Sequence, residues 1–401
     1  MSLREGIFVV TRLDIVVIGG GAMGSATAWQ LASRGREVTL LEQFELGHTN
    51  GASHGITRNL NLGYSDPTYV GMLAESLQLW EELSTQSGSS QIARTGTVNH
   101  GNLAAQRHAL AALTAAGIRA EEVSAAEASE RWNGIRFTTP VLHMPDGGQL
   151  NPDLALPSFQ RVAVEHGANV RHGVRVVEMK VLGDNQVRLV LETASGTEVL
   201  EAQNVVVTAG AWTSYLLPES VRLPQLRVTQ EQPLHFAPRD AQTVWPGFNH
   251  TLVPGSPGFE NAYSPVYGML TPGEGIKAGW HGTGSPTHPD YRSFTSEPKQ
   301  LLALRDYARQ WLPGVNADIF TEISCTYTNT PDEDFILDRI GPITLGAGFS
   351  GHGFKFTPVI GRILADLAVG SGSAPAKFAA GRSISDSVLS PVFSSSPEEP
   401  A

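Results

Sequence analysis

An uninterrupted apolar run near the start of the chain, from Ile15 to Ile18, predicts a strand that is buried on both faces of a parallel sheet. Glycines follow at positions 19, 20, 21 and 24. Apolar residues then recur at helical spacing as far as Gly35, which predicts the end of a helix. A second apolar run, Val38 to Leu41, completes a strand–helix–strand unit. The pattern therefore predicts an α/β fold.

The alternation of strands and helices returns in two later parts of the chain, 147–213 and 341–370, and it includes a predicted helix over about 154–166. In the later part, Thr357 is the predicted N-cap of a helix with Pro358 in its first turn. Residues 219–319 are instead rich in Pro, Gly and aromatic residues, which favours a largely antiparallel sheet with long loops.

This change of pattern predicts two interleaved domains followed by a tail. Because the alternating pattern is interrupted and then resumes, the first domain is assembled from separated segments. The predicted ranges are 10–85, 145–218 and 320–371 for the first domain, 86–144 and 219–319 for the second, and 372–401 for a partly disordered tail rich in Ser, Ala and Pro.

Composition narrows the range of partners. The chain has 401 residues, of which 41% are hydrophobic, and a net charge of −11, so binding to nucleic acid or to an anionic membrane is not expected. One cysteine cannot form an internal disulfide, so nothing calls for an oxidising compartment. We find neither a signal peptide nor eighteen consecutive apolar residues. The sequence predicts a soluble, cytoplasmic protein that acts on a small molecule.

Gly19, Gly21 and Gly24 form a G-x-G-x-x-G motif between the first strand and the helix. In such a motif the glycines permit a tight turn, close approach of a pyrophosphate and close helix packing. Glu42 follows the second strand, where a carboxylate accepts hydrogen bonds from a ribose. A flexible turn would explain the glycines alone, but the whole arrangement predicts dinucleotide binding. The motif does not distinguish FAD from NAD.

Three further segments bear on the choice between FAD and NAD. They are "HTNGASHGITR" (48–58), "CTYTNTPDEDFILD" (325–338) and "GFSGHGFKFTPVIG" (348–361). With the glycine motif, they resemble the monomeric sarcosine oxidase and N-methyltryptophan oxidase family of FAD-dependent amine oxidases. The resemblance implies a Rossmann-like FAD domain of the glutathione-reductase type and a second α+β substrate domain on a mixed, largely antiparallel sheet. It also implies a monomer.

Cys325 is the only cysteine of the chain. A lone cysteine is ordinarily a small buried hydrophobe, but the Thr, Asp and Glu residues around Cys325 favour a loop. The resemblance implies that Cys325 carries the flavin through a thioether. It further implies that the FAD site includes His54, Thr57, Arg58, Gly351, Gly353 and Lys355, and that Arg58, above the flavin face, is also a catalytic residue.

The resemblance also implies the catalytic and substrate-binding residues. Lys277 matches the lysine near the flavin where oxygen is activated, and His281 matches the histidine that faces the substrate amine. Lys355 matches the lysine that contacts the substrate carboxylate. Tyr267 and Tyr327 match aromatic residues of the same pocket. Structural or solvated roles for these residues remain the alternatives.

One position departs from the family pattern. Asn61 stands where sarcosine-type enzymes have a second arginine that pairs with the substrate carboxylate, and an asparagine has no charge to offer. Either the substrate lacks a free α-carboxylate and presents another polar group, such as a sugar hydroxyl, or another cation such as Arg227 or Arg94 replaces the arginine.

The resemblance implies a FAD-dependent oxidase of a secondary amine or N-substituted amino acid. A hydride equivalent passes to flavin N5, the imine hydrolyses, and O2 is reduced to hydrogen peroxide. Three alternatives remain: a fructosyl-amino-acid oxidase, a dehydrogenase with another electron acceptor, and a flavin-binding subunit without catalysis.

Overall fold

The computed structural model describes residues 11–384, so residues 385–401 of the predicted tail lie outside the described range. The structure contains two large sheets, each contacted by helices, and two small three-stranded sheets. The α-helices of the described residues are Ala22–Ala32, Pro67–Ser87, Leu103–Ala115, Ala125–Arg131, Pro152–Glu165, Thr213–Leu216, Pro298–Trp311 and Thr357–Val369.

The first large sheet is built around strand Thr11–Ile18, which pairs in parallel with strand Val38–Leu41 on one side and with strand Gly196–Val207 on the other. Five further strands complete this sheet, and two of them form a hairpin that pairs with the first half of strand Gly196–Val207. The five are Asn169–Arg171, Arg175–Gly183, Gln186–Thr193, Ile336–Ile340 and Ile343–Ala347. Residues 15–17 are fully buried, as the apolar run predicts.

The second large sheet has eight strands, and every neighbouring pair is antiparallel except Thr97–His100 with Gly247–His250. A mixed, largely antiparallel sheet is therefore confirmed for the second domain. In spatial order its strands are Val315–Glu322, Leu234–Pro238, Gly275–Trp280, Val266–Thr271, Gly247–His250, Thr97–His100, Val141–Met144 and Glu121–Val123.

Two three-stranded sheets bring distant segments of the chain together. One contains Arg58–Leu60, Gly148–Leu150 and Ile92–Ala93, and the other contains Ser285–Pro286, Arg227–Glu231 and Cys325–Asn329. Cys325 is thus the first residue of a strand, and the expectation of a loop is wrong. The neighbouring threonines suit an extended backbone, because branching at Cβ favours strands over helices.

Helix Ala22–Ala32 is buried at every position, because it packs on the first sheet and beneath helices Pro152–Glu165 and Thr357–Val369. The first of these covering helices confirms the helix predicted over about 154–166. The second begins at Thr357 itself, so the prediction of Thr357 as N-cap is wrong. Its hydroxyl donates back to the carbonyl of Phe354, within the short 3₁₀ turn that leads into the helix.

The domain ranges stay predictions, and one of their boundaries divides a strand. Position 320 falls inside strand Val315–Glu322 of the second sheet. In the described part of the tail, Phe378 is fully buried and Arg382 forms an ion pair with Asp332. Among residues 11–384, none of the helices combines the length and the apolar composition needed to cross a bilayer.

Candidate active site

The glycine motif lines a cavity of about 620 Å³. Gly19 has φ of +100°, which permits the turn from strand to helix, and a Cβ on Gly24 would lie 1.9 Å from the carbonyl oxygen of Gly19. The backbone therefore reaches this close approach only with glycine at both positions. Gly21 lines the cavity beside them.

The residues around the glycine motif suit an anionic diphosphate and a ribose. Helix Ala22–Ala32 starts after Gly21, which has no side chain to cap it, and its first amide donates to Ser53 Oγ at 3.0 Å, so the next amides remain available to an anion. Glu42 is buried, and its two carboxylate oxygens accept from the amides of Gly20 at 2.7 Å and Phe44 at 2.9 Å. These bonds fix the carboxylate at the cavity wall, where lone pairs remain for hydroxyl donors.

A second cavity of about 600 Å³ adjoins the first, and the two share lining residues. Cys325 and Tyr327 lie on the wall of both cavities, as do His54, Arg58 and Gly351. Gly353 lines only the first cavity. The single thiol of the chain is therefore located at the junction between the first cavity, which the glycine motif lines, and the second cavity.

Two basic residues, Arg58 and His54, lie at this junction. The guanidinium of Arg58 donates to the carbonyls of Ala52 at 2.8 Å and Thr57 at 2.9 Å, and its Nη2 lies 4.0 Å from Cys325 Sγ. Burial and the neighbouring Arg58 lower the pKa of His54 to about 3, so His54 is neutral. His54 Nε2 is buried without a protein partner among residues 11–384.

Lys277 is almost fully buried, with 5% of its surface exposed. Its ammonium donates to Thr57 Oγ1 at 2.9 Å and to the Thr57 carbonyl at 3.3 Å. Burial first, and then the charge of Arg58, lower the pKa of Lys277 to about 7. One of its three N–H donors stays free to face the second cavity, which Lys277 lines.

Lys355 is the second buried cation of this cavity, with 7% of its surface exposed. Its ammonium donates to the Tyr64 hydroxyl at 3.1 Å and to the His352 carbonyl at 2.9 Å. Burial lowers the pKa of Lys355 to about 7. Two donors are used within the protein, and the third is available to an acceptor on a ligand.

His281, Tyr327 and Tyr267 form an aromatic group on the same cavity. His281 Nδ1 lies 3.4 Å from the Tyr327 hydroxyl, and the rings of His281 and Tyr267 meet edge to face at 6.4 Å. Burial, followed by the charge of Lys355, lowers the pKa of His281 to about 4. The imidazole is therefore neutral at pH 7 and acts as a hydrogen-bond partner rather than as a cation.

Asn61 also lines the second cavity, but neither of the two arginines considered as substitutes for its missing charge does so. Arg94 is exposed and pairs with Glu81, and Arg227 is exposed on its strand. Neither Arg94 nor Arg227 is therefore placed to replace the missing arginine. Lys355 therefore remains the candidate to bind a substrate carboxylate.

The structure adds two residues, Tyr64 and His352, that the sequence analysis did not name. Tyr64 and His352 hold Lys355, with the Tyr64 hydroxyl 3.1 Å from His352 Nδ1. His352 stands inside the quoted segment 348–361, so its motif was a usable signal. Tyr64 is 291 residues from Lys355 in the chain, and no local pattern marks it.

Comparison with known proteins bears directly on this site. A family described as FAD dependent oxidoreductase matches residues 14–367, which is most of the chain. The chain belongs to this family. It is therefore an FAD-dependent oxidoreductase, and the available helix amides and His54 Nε2, which has no partner within residues 11–384, are consistent with a bound FAD.

Individual relatives narrow the family further. The chain is 33% identical over 383 residues to the peroxisomal sarcosine oxidase of Mus musculus, covering 89% of this chain and 92% of the relative. It is 31% identical over 374 residues to the monomeric sarcosine oxidase of Bacillus sp. (strain NS-129), covering 89% and 93%. The solved open form of NikD, an unusual amino acid oxidase essential for nikkomycin biosynthesis, matches with a TM-score of 0.79 and 27% identity, covering 92% of this chain and 98% of NikD.

These similarities confirm the family and the two-domain fold inferred from the sequence. The chain is an FAD-dependent oxidoreductase of the amine- and amino-acid-oxidising type, similar to sarcosine oxidases. The rival class of a flavin-binding subunit without catalysis is not supported, since the chain spans nearly the full length of enzymes.

Proposed function

We propose that this chain oxidises a secondary amine or an N-substituted amino acid and reduces O2 to hydrogen peroxide. One observation carries the proposal: two buried lysines, Lys277 and Lys355, line the second cavity. This cavity shares Cys325 with the first cavity, which the glycine motif lines. An oxidase needs one positive charge for oxygen and another for an acidic substrate. The cavity supplies both.

The chain's own residues bind and orient the substrate. Lys355 directs its free N–H donor to a carboxylate or another acceptor of the substrate. His281 is neutral, so it adds no charge against the amine and accepts a hydrogen bond from it. Tyr267 and Tyr327 flank His281 and exclude water from the reacting carbon.

FAD, when bound, supplies the electron chemistry by taking a hydride equivalent from the carbon beside nitrogen and passing two electrons to oxygen. The resulting imine hydrolyses to an amine and a carbonyl compound. Lys277 stabilises the negative charge that develops on oxygen, because its ammonium is already desolvated and held by Thr57.

We also propose that Cys325 carries the flavin covalently. Its position on the wall of both cavities supports this, because a flavin bound between them would lie within reach of the thiol. Forming the thioether would remove one hydrogen from the thiol and one from the flavin carbon, and the two electrons would pass through the flavin to O2. A thioether retains the cofactor and tunes its electronics.

The test is aerobic incubation of the holoenzyme with a panel of secondary amines, with hydrogen peroxide and amine consumption measured together. Equal amounts of peroxide and consumed amine are expected. Amine consumption that needs an added electron acceptor and yields no peroxide would identify a dehydrogenase instead.

A further inference from the structure

Five asparagines line the second cavity, and we define them here as the amide wall. They come from three separate segments of the chain. The small sheet that contains strand Arg58–Leu60 and the second large sheet bring these segments together. The amide wall consists of Asn59, Asn61, Asn99, Asn102 and Asn249.

Three members of the wall form a chain of hydrogen bonds. Asn59 Nδ2 donates to Asn249 Oδ1 at 3.1 Å, and Asn249 Nδ2 donates to Asn99 Oδ1 at 2.9 Å. Asn99 and Asn249 occupy directly opposed positions on parallel strands, so their side chains project from the same face of the sheet. The orientation of each amide is set by its neighbour.

The other two members are fixed by local turns of the backbone. Asn61 Oδ1 accepts from the Gly63 amide at 3.0 Å, and Asn102 Oδ1 caps a helix by accepting from the Ala105 amide at 3.1 Å. In four of the five side chains, all except Asn59, the carbonyl oxygen is thus occupied by a protein donor.

Most of the side-chain amide nitrogens of the wall, unlike the oxygens, are not used in hydrogen bonds within the described residues. The Nδ2 atoms of Asn61, Asn99 and Asn102 have no hydrogen-bond partner among residues 11–384, and they are not among the fully enclosed polar atoms. Each amide nitrogen carries two N–H donors. The wall therefore presents several oriented N–H donors, and hardly any acceptors, to whatever occupies the cavity.

The wall is also uncharged, since none of its hydrogen bonds within residues 11–384 involves an ionised side chain. An anion placed there would lose water without meeting a counter-charge, and an ammonium would meet donors rather than acceptors. An uncharged group with several acceptor oxygens matches the wall best. A cavity of about 600 Å³ also has room for far more than an N-methyl group.

We propose that the amide wall binds an uncharged, acceptor-rich substituent of the substrate, such as a carboxamide or a polyhydroxylated chain. The proposal rests on the proposed amine oxidation, because it assigns the substrate class of that same cavity. In this proposal Asn61 has a function of its own, as one of several uncharged hydrogen-bond donors to the substrate.

Binding of unreactive analogues tests the wall without turnover. A matched series has sulfur in place of the amine nitrogen and differs only in the tail: carboxamide, polyol, methyl-terminated isostere, carboxylate or ammonium. Dissociation constants are measured from the change in visible absorption of the flavin in the holoenzyme. The carboxamide or the polyol is expected to bind at least about 10-fold more tightly than the apolar isostere. Equal affinities across the series would overturn the proposal.

The variant Asn99→Asp sharpens the test, because it keeps the oxygen that accepts from Asn249 and replaces the N–H donors by a negative charge. The preference is expected to move toward the ammonium tail by about 10-fold or more. Asn169→Asp is the matched control, because Asn169 is exposed on an edge strand of the first sheet. A tail preference in Asn99→Asp equal to that of the control would count against the wall.

The same series separates this proposal from the proposed function. The corresponding secondary amines are mixed with the holoenzyme without oxygen, and flavin reduction is recorded. Reduction by all amines alike, with no tail preference in binding, overturns the amide wall and leaves amine oxidation intact. Tail-selective binding without reduction by any amine supports the wall and contradicts amine oxidation.

Discussion

The ammonium of Lys277 lies 2.9 Å from the hydroxyl of Thr57, and this hydroxyl lies 2.8 Å from that of Thr271. The arrangement holds a buried cation at one orientation in a cavity wall. It also joins the segment 48–58 to the hairpin of the second sheet, so that each domain supplies one part of the proposed oxygen site.

Replacing Lys277 by Met removes the charge and keeps an unbranched apolar side chain. We expect reoxidation of the reduced flavin by oxygen to slow by about 100-fold or more, because a preorganised positive charge is lost where negative charge develops. Anaerobic reduction by the amine should change by less than about 5-fold, because the lysine acts on oxygen and not on the amine. Stopped-flow measurement of the two half-reactions checks this, and an equal loss in both would contradict the assignment.

The lowered pKa of Lys277 predicts a pH dependence for the same step. A lysine is charged below its pKa, and burial lowers that of Lys277 to about 7, so reoxidation should slow as the pH rises through about 7 and beyond. An arginine stays charged over this range. The Lys277→Arg variant should therefore lose the decline, and a decline of the same shape in both proteins would point to another group.

Cys325 at the junction of the cavities predicts a covalent flavin. Acid precipitation should leave the yellow colour in the protein pellet, and the intact mass should exceed that of the polypeptide by one FAD less the two hydrogens that are lost when the thioether forms. In Cys325→Ser the flavin should appear in the supernatant. Release of all flavin from the unaltered protein would show that the thiol only contacts the cofactor.

Asn61 predicts the response to a restored cation. Asn61→Arg should lower the KM for sarcosine by about 10-fold or more, since a guanidinium binds a carboxylate bidentately. Asn61→Gln serves as the control, because it changes size without charge. An Asn61→Arg variant with the KM of the control would show that Lys355 alone sets carboxylate binding.

The glycine motif, the first strands and the first helix could be predicted because their physical requirements are local. Gly19 and Gly24 are needed by the backbone itself, and the buried run Ile15–Ile18 needs apolar residues on both faces. The lysines and His281 could be found only through the resemblance to a family, because no spacing along the chain marks their chemistry.

The amide wall and the Tyr64–Lys355 contact could not be predicted, since they join segments far apart in sequence. Asn59 and Asn249 are 190 residues apart and meet only because a small sheet and the second sheet face the same cavity. The loop expected around Cys325 was wrong for a similar reason. Strand Cys325–Asn329 pairs with strand Arg227–Glu231, which lies in another part of the chain. That pairing provides the backbone hydrogen bonds that stabilise the polar strand of Cys325.

Anaerobic mixing of the holoenzyme with secondary amines tests the central claim most directly. The account predicts that at least one amine bleaches the flavin, and that admission of oxygen restores the colour with one hydrogen peroxide formed per flavin. A flavin that stays fully coloured with every secondary amine of the panel, including those with carboxamide and polyol tails, would contradict it.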